Sequence, residues 1–374
     1  MARSLEIHIK DLAQFSYLGI GVNKEFGDEI KDKLKRKFGS IATVSKLAAI
    51  PTFTISQIGR RNTRQYIWIK ILKLLKLSLE DLEPNIVSIC DKFVYHIKFP
   101  HDITPLHIRL ISHILGDGCY CQGSSYWIQK NVEPLIALEK RLLGISGKKV
   151  EYDTADHVSI PAFYTKLVCS FLKVKRSKLR SKRFFDKIIQ LPKSFRVELI
   201  AAILEDEARI LPHTGSIRIS MKSRVVLEGL AKVFDSLNYN RSEIKKVPNK
   251  SSYGESFLYQ LFLRVLGSNR FHQDLQESVS KYGESADLWS KKNVFETLIS
   301  RNNGKKAEGR ELNWLLATKV ISVFSGNKII TAKKLVKVLK VDRPRADRVI
   351  RRLTNENLIK QKSRGMYLLN LKEH

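Results

Sequence analysis

Two apolar segments of this chain each end in acidic side chains. The segment Leu110–Gly118 reads LISHILGDG and ends at Asp117, while Ile200–Ala208 reads IAAILEDEA and ends at Asp206 and Glu207. The apolar spacing predicts a helix for both. A carboxylate at the C-terminus of a helix meets the negative end of the helix dipole, which is unfavourable. Its repetition within one chain therefore indicates a functional use of these acids.

The net charge points to a polyanionic partner. The chain of 374 residues has 67 Lys and Arg against 37 Asp and Glu, a net charge of +30. This excess favours nucleic acid first and an anionic membrane second. No apolar run approaches the roughly 18–20 residues of a membrane span, and nothing resembles a signal peptide. Because the four cysteines also lack a zinc-binding spacing, we expect a cytoplasmic protein with reduced thiols and no membrane association.

Residues 24–90 have a helical pattern with short breaks. Inside this region, Val44–Ala48 predicts a short helix, Ala49 and Ile50 a turn, and Pro51 or Thr52 the start of a second helix. The order resembles the phage-repressor-like helix-turn-helix family, in which the second helix enters the major groove. The exposed face of that helix would then consist of Thr52, Thr54, Gln57, Arg60 and Arg61. The alternative is a small helical bundle that only packs against the rest of the chain.

The order of predicted elements in residues 101–190 repeats in residues 191–300. Each region reads as helix, hairpin, helix, hairpin and helix, with a terminal acid at the end of its first helix. This repetition predicts two similar α+β lobes. The first of these regions contains a basic segment, Lys173–Arg183, which reads KVKRSKLRSKR.

The last region, residues 309–374, has the element order of a winged helix. Helices are predicted over Leu312–Phe324, Thr331–Leu339 and Arg343–Asn355, followed by a hairpin that turns at Arg364 and Gly365. A basic recognition face would consist of Arg345, Arg348, Arg351 and Arg352. The alternative is a charged helix face that is merely solvated.

The two acid-terminated segments resemble the paired motifs of the LAGLIDADG homing endonucleases. The sequence ISHILGDG fits that motif closely, and AAILEDEA fits the variant with two acids before the final position. The resemblance covers about residues 101–300 and implies an α+β fold with a pseudo-two-fold pair of αββαββα lobes. We expect a monomer with an internal pseudo-dimer, flanked by an all-α helix-turn-helix domain and a winged-helix-like domain.

The resemblance implies that the motif helices pack side by side and bring their acids together. Small residues, among them Ser112, Gly116, Ala201 and Ala202, would allow this close approach. Adjacent carboxylates repel each other, and a bound Mg²⁺ or Mn²⁺ would relieve the repulsion and activate water at a phosphodiester. Lys222 is the candidate for the basic residue that the family places near its metal site. The strands would cover DNA with Gln122, Tyr126, Gln129 and Lys130 in the first lobe and Arg218, Lys245 and Lys246 in the second.

The register of the second motif has two readings. An offset of 89 residues pairs Asp117 with Asp206 and matches the apolar positions best, whereas an offset of 90 pairs Asp117 with Glu207 and Gly118 with Ala208. We prefer Glu207, and either acid stays a candidate metal ligand. A positive φ at Ala208 would cost on the order of 1 kcal/mol, which would distort the second half of the site.

Three functions are compatible with these features. The first is a site-specific, metal-dependent endonuclease that cuts double-stranded DNA. The second is a DNA-binding transcription regulator on a degenerate LAGLIDADG fold, which the altered second motif and the flanking binding regions favour. The third is RNA binding as a maturase or RNA endonuclease, although aromatic platforms for single strands are not evident.

Overall fold

The computed structural model describes residues 5–91, 94–116, 118–121, 124–128, 132–146, 157–251, 254–288, 291–302, 329–340, 343–355, 359–363 and 365–369. They fall into two compact units, Met1–Ile299 and Ser300–His374. The mixture of helices and small antiparallel sheets confirms the α+β class. Among these residues, no helix is long and apolar enough to cross a membrane.

The N-terminal part of the first unit combines five helices with short strands. The helices are α1 (Lys24–Phe38), α2 (Ile41–Ala48), α3 (Thr52–Ser56), α4 (Gln65–Leu75) and α5 (Leu79–Leu82). The strands are β1 (Glu6–Ile7), β2 (Gly19–Val22), β3 (Thr63–Arg64), β4 (Ile86–Cys90), β5 (Val94–Tyr95) and β6 (His101–Asp102).

These strands correct the expectation that the N-terminal flank is all-α. Four of them form a sheet in the order β3-β2-β4-β5, and β1 pairs with β6 immediately before the first motif. The strands are only two to five residues long, too short for their alternation to emerge from the helical pattern around them. Only the pairing of distant segments stabilises them.

The helices α2 and α3 form where the sequence predicts a helix-turn-helix. Ser40 caps α2 by accepting a hydrogen bond from the Thr43 N–H, and Ala49 ends the helix with φ at 50°. Thr52, Arg60 and Arg61 are exposed, whereas Thr54 and Gln57 are half-buried. The prediction that Gln57, Arg60 and Arg61 lie on the second helix is wrong, because α3 ends at Ser56. Their use in DNA binding stays a prediction.

The first lobe begins with the first motif helix. Its helices are α6 (Pro105–Ser112), α7 (Val132–Ser146), α8 (Ala162–Leu172) and α9 (Lys182–Ile189). Its strands are β7 (Gly118–Cys121), β8 (Ser124–Ile128) and β9 (His157–Ile160), which pair in the order β7-β8-β9. Residues 147–156, which belong to the second predicted hairpin of this lobe, lie outside the described residues.

The second lobe repeats this order with a more complete sheet. Its helices are α10 (Lys193–Glu207), α11 (Arg224–Ser236), α12 (Val265–Tyr282) and α13 (292–302). Its strands are β10 (Ala208–Leu211), β11 (Ser216–Met221), β12 (Lys245–Ser251) and β13 (Gly254–Leu263), in the order β10-β11-β13-β12. The sequence reading placed no strand at β10, because four residues directly after a helix carry almost no periodic signal.

One hydrophobic cluster extends through the N-terminal part and both lobes. Trp68 and Ile20 belong to it in the N-terminal part, Phe163 in the first lobe and Phe234 in the second, all of them fully buried. The helices α6 and α10 lie inside the cluster and pack against each other. The two motif segments are therefore held by the core of the whole first unit.

The second compact unit has its own small core. It contains α14 (Ala332–Leu339), α15 (Arg343–Asn355), β14 (Ile359–Ser363) and β15 (Met366–Leu369). The two strands pair as an antiparallel hairpin, and Gly365 at its turn has φ at 75°. These elements form where the sequence predicts them, while the helix predicted over Leu312–Phe324 lies outside the described residues.

Candidate functional site at the ends of the two motif helices

The second motif helix α10 runs directly into a strand, whereas α6 ends at Ser112 and turn residues follow it over 113–116. In the first motif β7 begins at Gly118, and in the second β10 begins at Ala208. The two strand starts differ by 90 residues, the offset that aligns Asp117 with Glu207. Asp117 itself lies outside the described residues, and Glu207 is the half-buried last residue of α10.

The two motif ends approach each other through a glycine. A Cβ atom added at Gly116 would lie 2.7 Å from both the Cβ and the Oδ2 atoms of Asp206. Ala201 and Ala202 in α10 and Ser112 in α6 are fully buried. The small residues of the motifs therefore do allow close packing of the two segments, as the sequence predicts.

Gly118 and Ala208 end their motifs in different ways. A Cβ at Gly118 would lie 2.4 Å from the Ile114 Cα and 2.7 Å from the His113 carbonyl oxygen. Ala208 has φ at −92° and ψ at 144°, an extended conformation that any residue adopts. The expectation of a strained backbone at Ala208 is therefore wrong. The first motif needs glycine at this position because a side chain would not fit, whereas the second motif has room for a methyl group.

The substitution Gly118→Ala is expected to lower the free energy of unfolding by about 1–3 kcal/mol, because the new methyl group overlaps backbone atoms that cannot move aside. The matched substitution Ala208→Gly removes a methyl group without a clash and should cost about 0.5–1 kcal/mol. Urea unfolding of both variants measures the difference. A smaller effect for Gly118→Ala than for Ala208→Gly would contradict the steric explanation.

Asp206 is held inside the protein by polar partners. Its side chain is fully buried, and its Oδ1 lies 3.0 Å from His113 Nδ1. The indole Nε1 of Trp127 donates a hydrogen bond of 3.1 Å to the same oxygen. His113 comes from the turn after α6 and Trp127 from β8, so Asp206 of the second lobe is bound by two groups of the first.

A buried ionic network continues from this contact. Arg109 donates to Glu198 and Glu205 at 3.0 Å each, and Arg141 donates to Glu205 at 3.1 Å. Arg141 Nη1 also lies 3.1 Å from His113 Nε2. The side chains of these two arginines and two glutamates are at most 1% exposed. The network therefore connects α6, α7 and α10 in a region that solvent does not reach.

The charges of this network set the ionisation of its members. Burial by itself raises the pKa of Glu205, but the charges of Arg141, Arg109 and His113 outweigh it and lower the pKa to about 2. Burial and the neighbouring charge of Arg109 lower the pKa of Arg141 to about 10. At neutral pH Glu205 is therefore ionised between two charged guanidinium groups.

This network was not predicted from the sequence, although the spacing of its charged residues indicates it. Arg109 and His113 are four residues apart in the first motif region, and Glu198 and Glu205 are seven apart in the second. Both spacings place the pair on one face of a predicted helix. Charged residues on the buried faces of two motif helices predict that those faces pair with each other.

A cation lies at the end of each motif segment. Arg180 donates to the carbonyl oxygens of Ile114 at 2.8 Å and Gly118 at 2.9 Å. Lys291 donates to the carbonyl oxygens of Leu204 at 2.9 Å and Asp206 at 3.4 Å. At Leu204, Lys291 offsets the negative end of the α10 dipole. The helix α6 already ends at Ser112, and Arg180 holds the turn that follows it. Neither cation was singled out from the sequence.

The sheet of the second lobe has one basic face. Ile217 and Ile219 of β11 point into the core, and Arg218 alternates with them on the other face. Arg218 pairs with Arg209 of β10. Lys245 pairs with Gln260 of β13, which lies on the same face as Arg218, so Lys245 lies on this face too. Arg209, which was not among the predicted DNA contacts, is exposed.

Lys246 lies on the opposite face from Lys245, since successive residues of a strand alternate. It pairs with Tyr259, which also pairs with the buried Met221, and its ammonium lies 4.0 Å from the Phe257 ring centroid. Of the two predicted lysines, only Lys245 therefore belongs to the face of Arg218.

The remaining candidates are only partly described. Lys222 is exposed directly after β11, and Arg351 is exposed on α15. Arg345, Arg348 and Arg352 lie on the same helix, and Tyr126 lies in β8. Gln122, Gln129 and Lys130 are outside the described residues, which contain no group of three or more His, Cys, Asp or Glu side chains suited to a metal ion.

The chain has structural similarity to proteins of known structure at low TM-scores. I-DmoI in complex with DNA and Ca is 13% identical with a TM-score of 0.29 and covers 51% of this chain and 97% of its own. Full-length DUF199/WhiA from Thermatoga maritima is 10% identical with a TM-score of 0.29 and covers 67% and 90%. No family model and no curated protein matches the chain.

Proposed function

We propose that this chain binds double-stranded DNA through a pair of LAGLIDADG-like lobes and cleaves it at specific sites with a divalent metal ion. The observation that carries the proposal is the meeting of the two motif ends at Gly116 and Asp206. Each end continues directly into a strand of its lobe. The acids that follow Gly116 and Asp206 are Asp117 and Glu207, which makes them the paired acids of the site.

The assignment of Glu207 rests on the contacts of its neighbour. Asp206 uses its carboxylate to bind His113 and Trp127 inside the protein, so it serves the lobe interface. Glu207 is half-buried at the helix end, where the strand starts fix an offset of 90 residues to Asp117. Asp206 is therefore the positioning residue of the pair and Glu207 its metal ligand.

Two carboxylates suit Mg²⁺ or Mn²⁺ as donors, because these ions prefer oxygen ligands and Mg²⁺ usually retains several waters. When bound by Asp117 and Glu207, the metal supplies charge neutralisation and an activated water at the scissile phosphate. The cations Arg180 and Lys291 hold the backbone carbonyls behind the acids. Lys222, exposed after β11, is proposed to contact the phosphate.

The basic sheet face supplies the DNA contacts of the second lobe. Arg209, Arg218 and Lys245 lie on it, opposite the buried Ile217 and Ile219 of β11. Cations on an open sheet face attract phosphates, which explains part of the charge of +30. The helix-turn-helix and the C-terminal unit are proposed as further DNA contacts.

A non-catalytic DNA-binding regulator is the second candidate. The burial of Asp206 among His113 and Trp127 favours it, because an acid used in packing leaves fewer ligands for a metal. This candidate predicts specific DNA binding that needs neither Mg²⁺ nor the acid at Asp117.

Cleavage of a supercoiled plasmid library with genomic inserts separates the two candidates. The endonuclease predicts linear product at discrete sites in Mg²⁺ or Mn²⁺ and none in EDTA. Asp117→Asn should reduce the cutting rate more than about 100-fold, since even partners of metal ligands contribute about 10–100-fold, while the variant still binds the same sites. Tight site-specific binding without cutting by the wild-type protein would establish the regulator instead.

A further inference from the structure

The basic segment Lys173–Arg183 of the first lobe lines a concave surface together with the N-terminal part. Lys173 ends α8 in a left-handed conformation, a short 3-10 turn follows over Arg176–Lys178, and α9 begins at Lys182. The resulting groove has a volume of about 730 Å³. We call it the basic groove, and its charged lining is Lys173, Lys175, Lys178, Lys182, Arg183 and Asp11.

Five of the six charged residues that line the basic groove are cations. All five are exposed, and none of them forms an ion pair among the described residues. Elsewhere on the surface, Lys33 pairs with Glu29, and Lys193 pairs with Asp274. Five unpaired cations in one concavity repel each other, and a concave surface concentrates their field.

The groove is anchored to both of its neighbours. Gln14 donates a hydrogen bond of 3.1 Å to Ser170 of α8, which holds the N-terminal part against the first lobe. Arg180, in the middle of the basic segment, donates to the carbonyl oxygens of Ile114 and Gly118 at the end of the first motif. The cations are therefore presented by a segment that also contacts the candidate cleavage site.

We propose that the basic groove binds the phosphate backbone of double-stranded DNA beside the site that Asp117 and Glu207 form. This inference rests on the proposed DNA binding and adds a contact surface outside the two sheets. The contacts are to phosphates, since lysine side chains act as point charges without base preference. The groove therefore contributes equally to the affinity for any duplex sequence.

The test compares two triple variants in duplex binding between about 50 and 200 mM salt. The groove variant carries Lys175→Gln, Lys178→Gln and Lys182→Gln. The control carries the same charge change at exposed helix positions, Lys140→Gln, Lys232→Gln and Lys281→Gln. Fluorescence anisotropy with a duplex of about 40 base pairs gives the slope of log affinity against log salt, which falls by about 0.9 for each phosphate contact removed.

We expect the groove variant to lose about two to three units of slope and at least tenfold in affinity for every duplex tested, with the control close to wild type. Equal slopes for the groove variant and wild type would overturn the proposed role of the groove but not the proposed DNA binding. Wild-type protein that binds no duplex would overturn the proposed function as well, and preferential binding of RNA would overturn the assignment of the occupant. Thermal melting checks that both triple variants fold.

Discussion

The substitution Glu205→Gln is expected to lower the free energy of unfolding by about 3–5 kcal/mol, the usual cost of removing one partner from a buried ion pair. Glu205 accepts hydrogen bonds from Arg109 at 3.0 Å and Arg141 at 3.1 Å, and its side chain is 1% exposed. An amide fills the same space without the charge. Two guanidinium groups would then remain buried, with Glu198 as the carboxylate still bonded to Arg109.

The control for this prediction is Glu284→Gln, which removes an acid from an exposed pair. Glu284 lies 3.6 Å from Lys140 and is 80% exposed, so the change should stay within about 0.5 kcal/mol. Urea unfolding at pH 7 measures both variants. Similar small effects for Glu205→Gln and Glu284→Gln would show that the buried network does not stabilise the lobe interface.

The pH dependence gives an independent check of the same residue. The folded-state pKa of Glu205 is lowered to about 2 from its ordinary value of 4.5. Its ionisation therefore stabilises the fold fully above pH 4.5, and this contribution is lost as pH falls from there toward 2. In this window the stability of wild type should fall more steeply than that of Glu205→Gln. Parallel curves would contradict the depressed pKa.

The adjacent acids Asp206 and Glu207 are expected to respond differently to loss of charge. Glu207→Gln should reduce DNA cleavage more than about 100-fold and weaken Mg²⁺ binding, with little change in the melting temperature, because Glu207 is half-buried at a helix end. Asp206→Asn should lower the free energy of unfolding by about 1–3 kcal/mol, since His113 and Trp127 lose an ionised acceptor.

Calorimetry of metal binding and thermal melting of the two variants together decide the register. The proposed assignment requires the larger loss of Mg²⁺ affinity in Glu207→Gln and the larger loss of stability in Asp206→Asn. The reverse pattern would place Asp206 in the metal site and restore the offset of 89 residues. Because metal binding is measured directly, the result does not depend on the DNA site being known.

The longer elements could be predicted from the sequence because their signals are local. The helices α14 and α15 form close to the predicted bounds, since apolar periodicity and end signals act over a few residues. The strands β2, β3 and β10 were missed, because strands of two to four residues depend on partners far away in the chain.

Some features of the candidate site could likewise be predicted from the sequence, and others could not. The two acid-terminated motifs and their small residues are evident in the sequence. The roles of Arg180 and Lys291 are not, because each reaches backbone carbonyls more than sixty residues away in sequence. Strand register likewise assigned Lys245 and Lys246 to opposite faces of the sheet.

The sequence by itself determined the α+β class, the repeat of two acid-terminated helices and the basic charge, all of which are properties of composition and local spacing. Only the tertiary structure decided that Asp206 is buried between His113 and Trp127 and that Glu207 is left at the helix end. Both are acids one position apart, and no local pattern distinguishes them. The packing of the two motif ends does, because it places the Asp206 carboxylate against His113 and Trp127 of the first lobe.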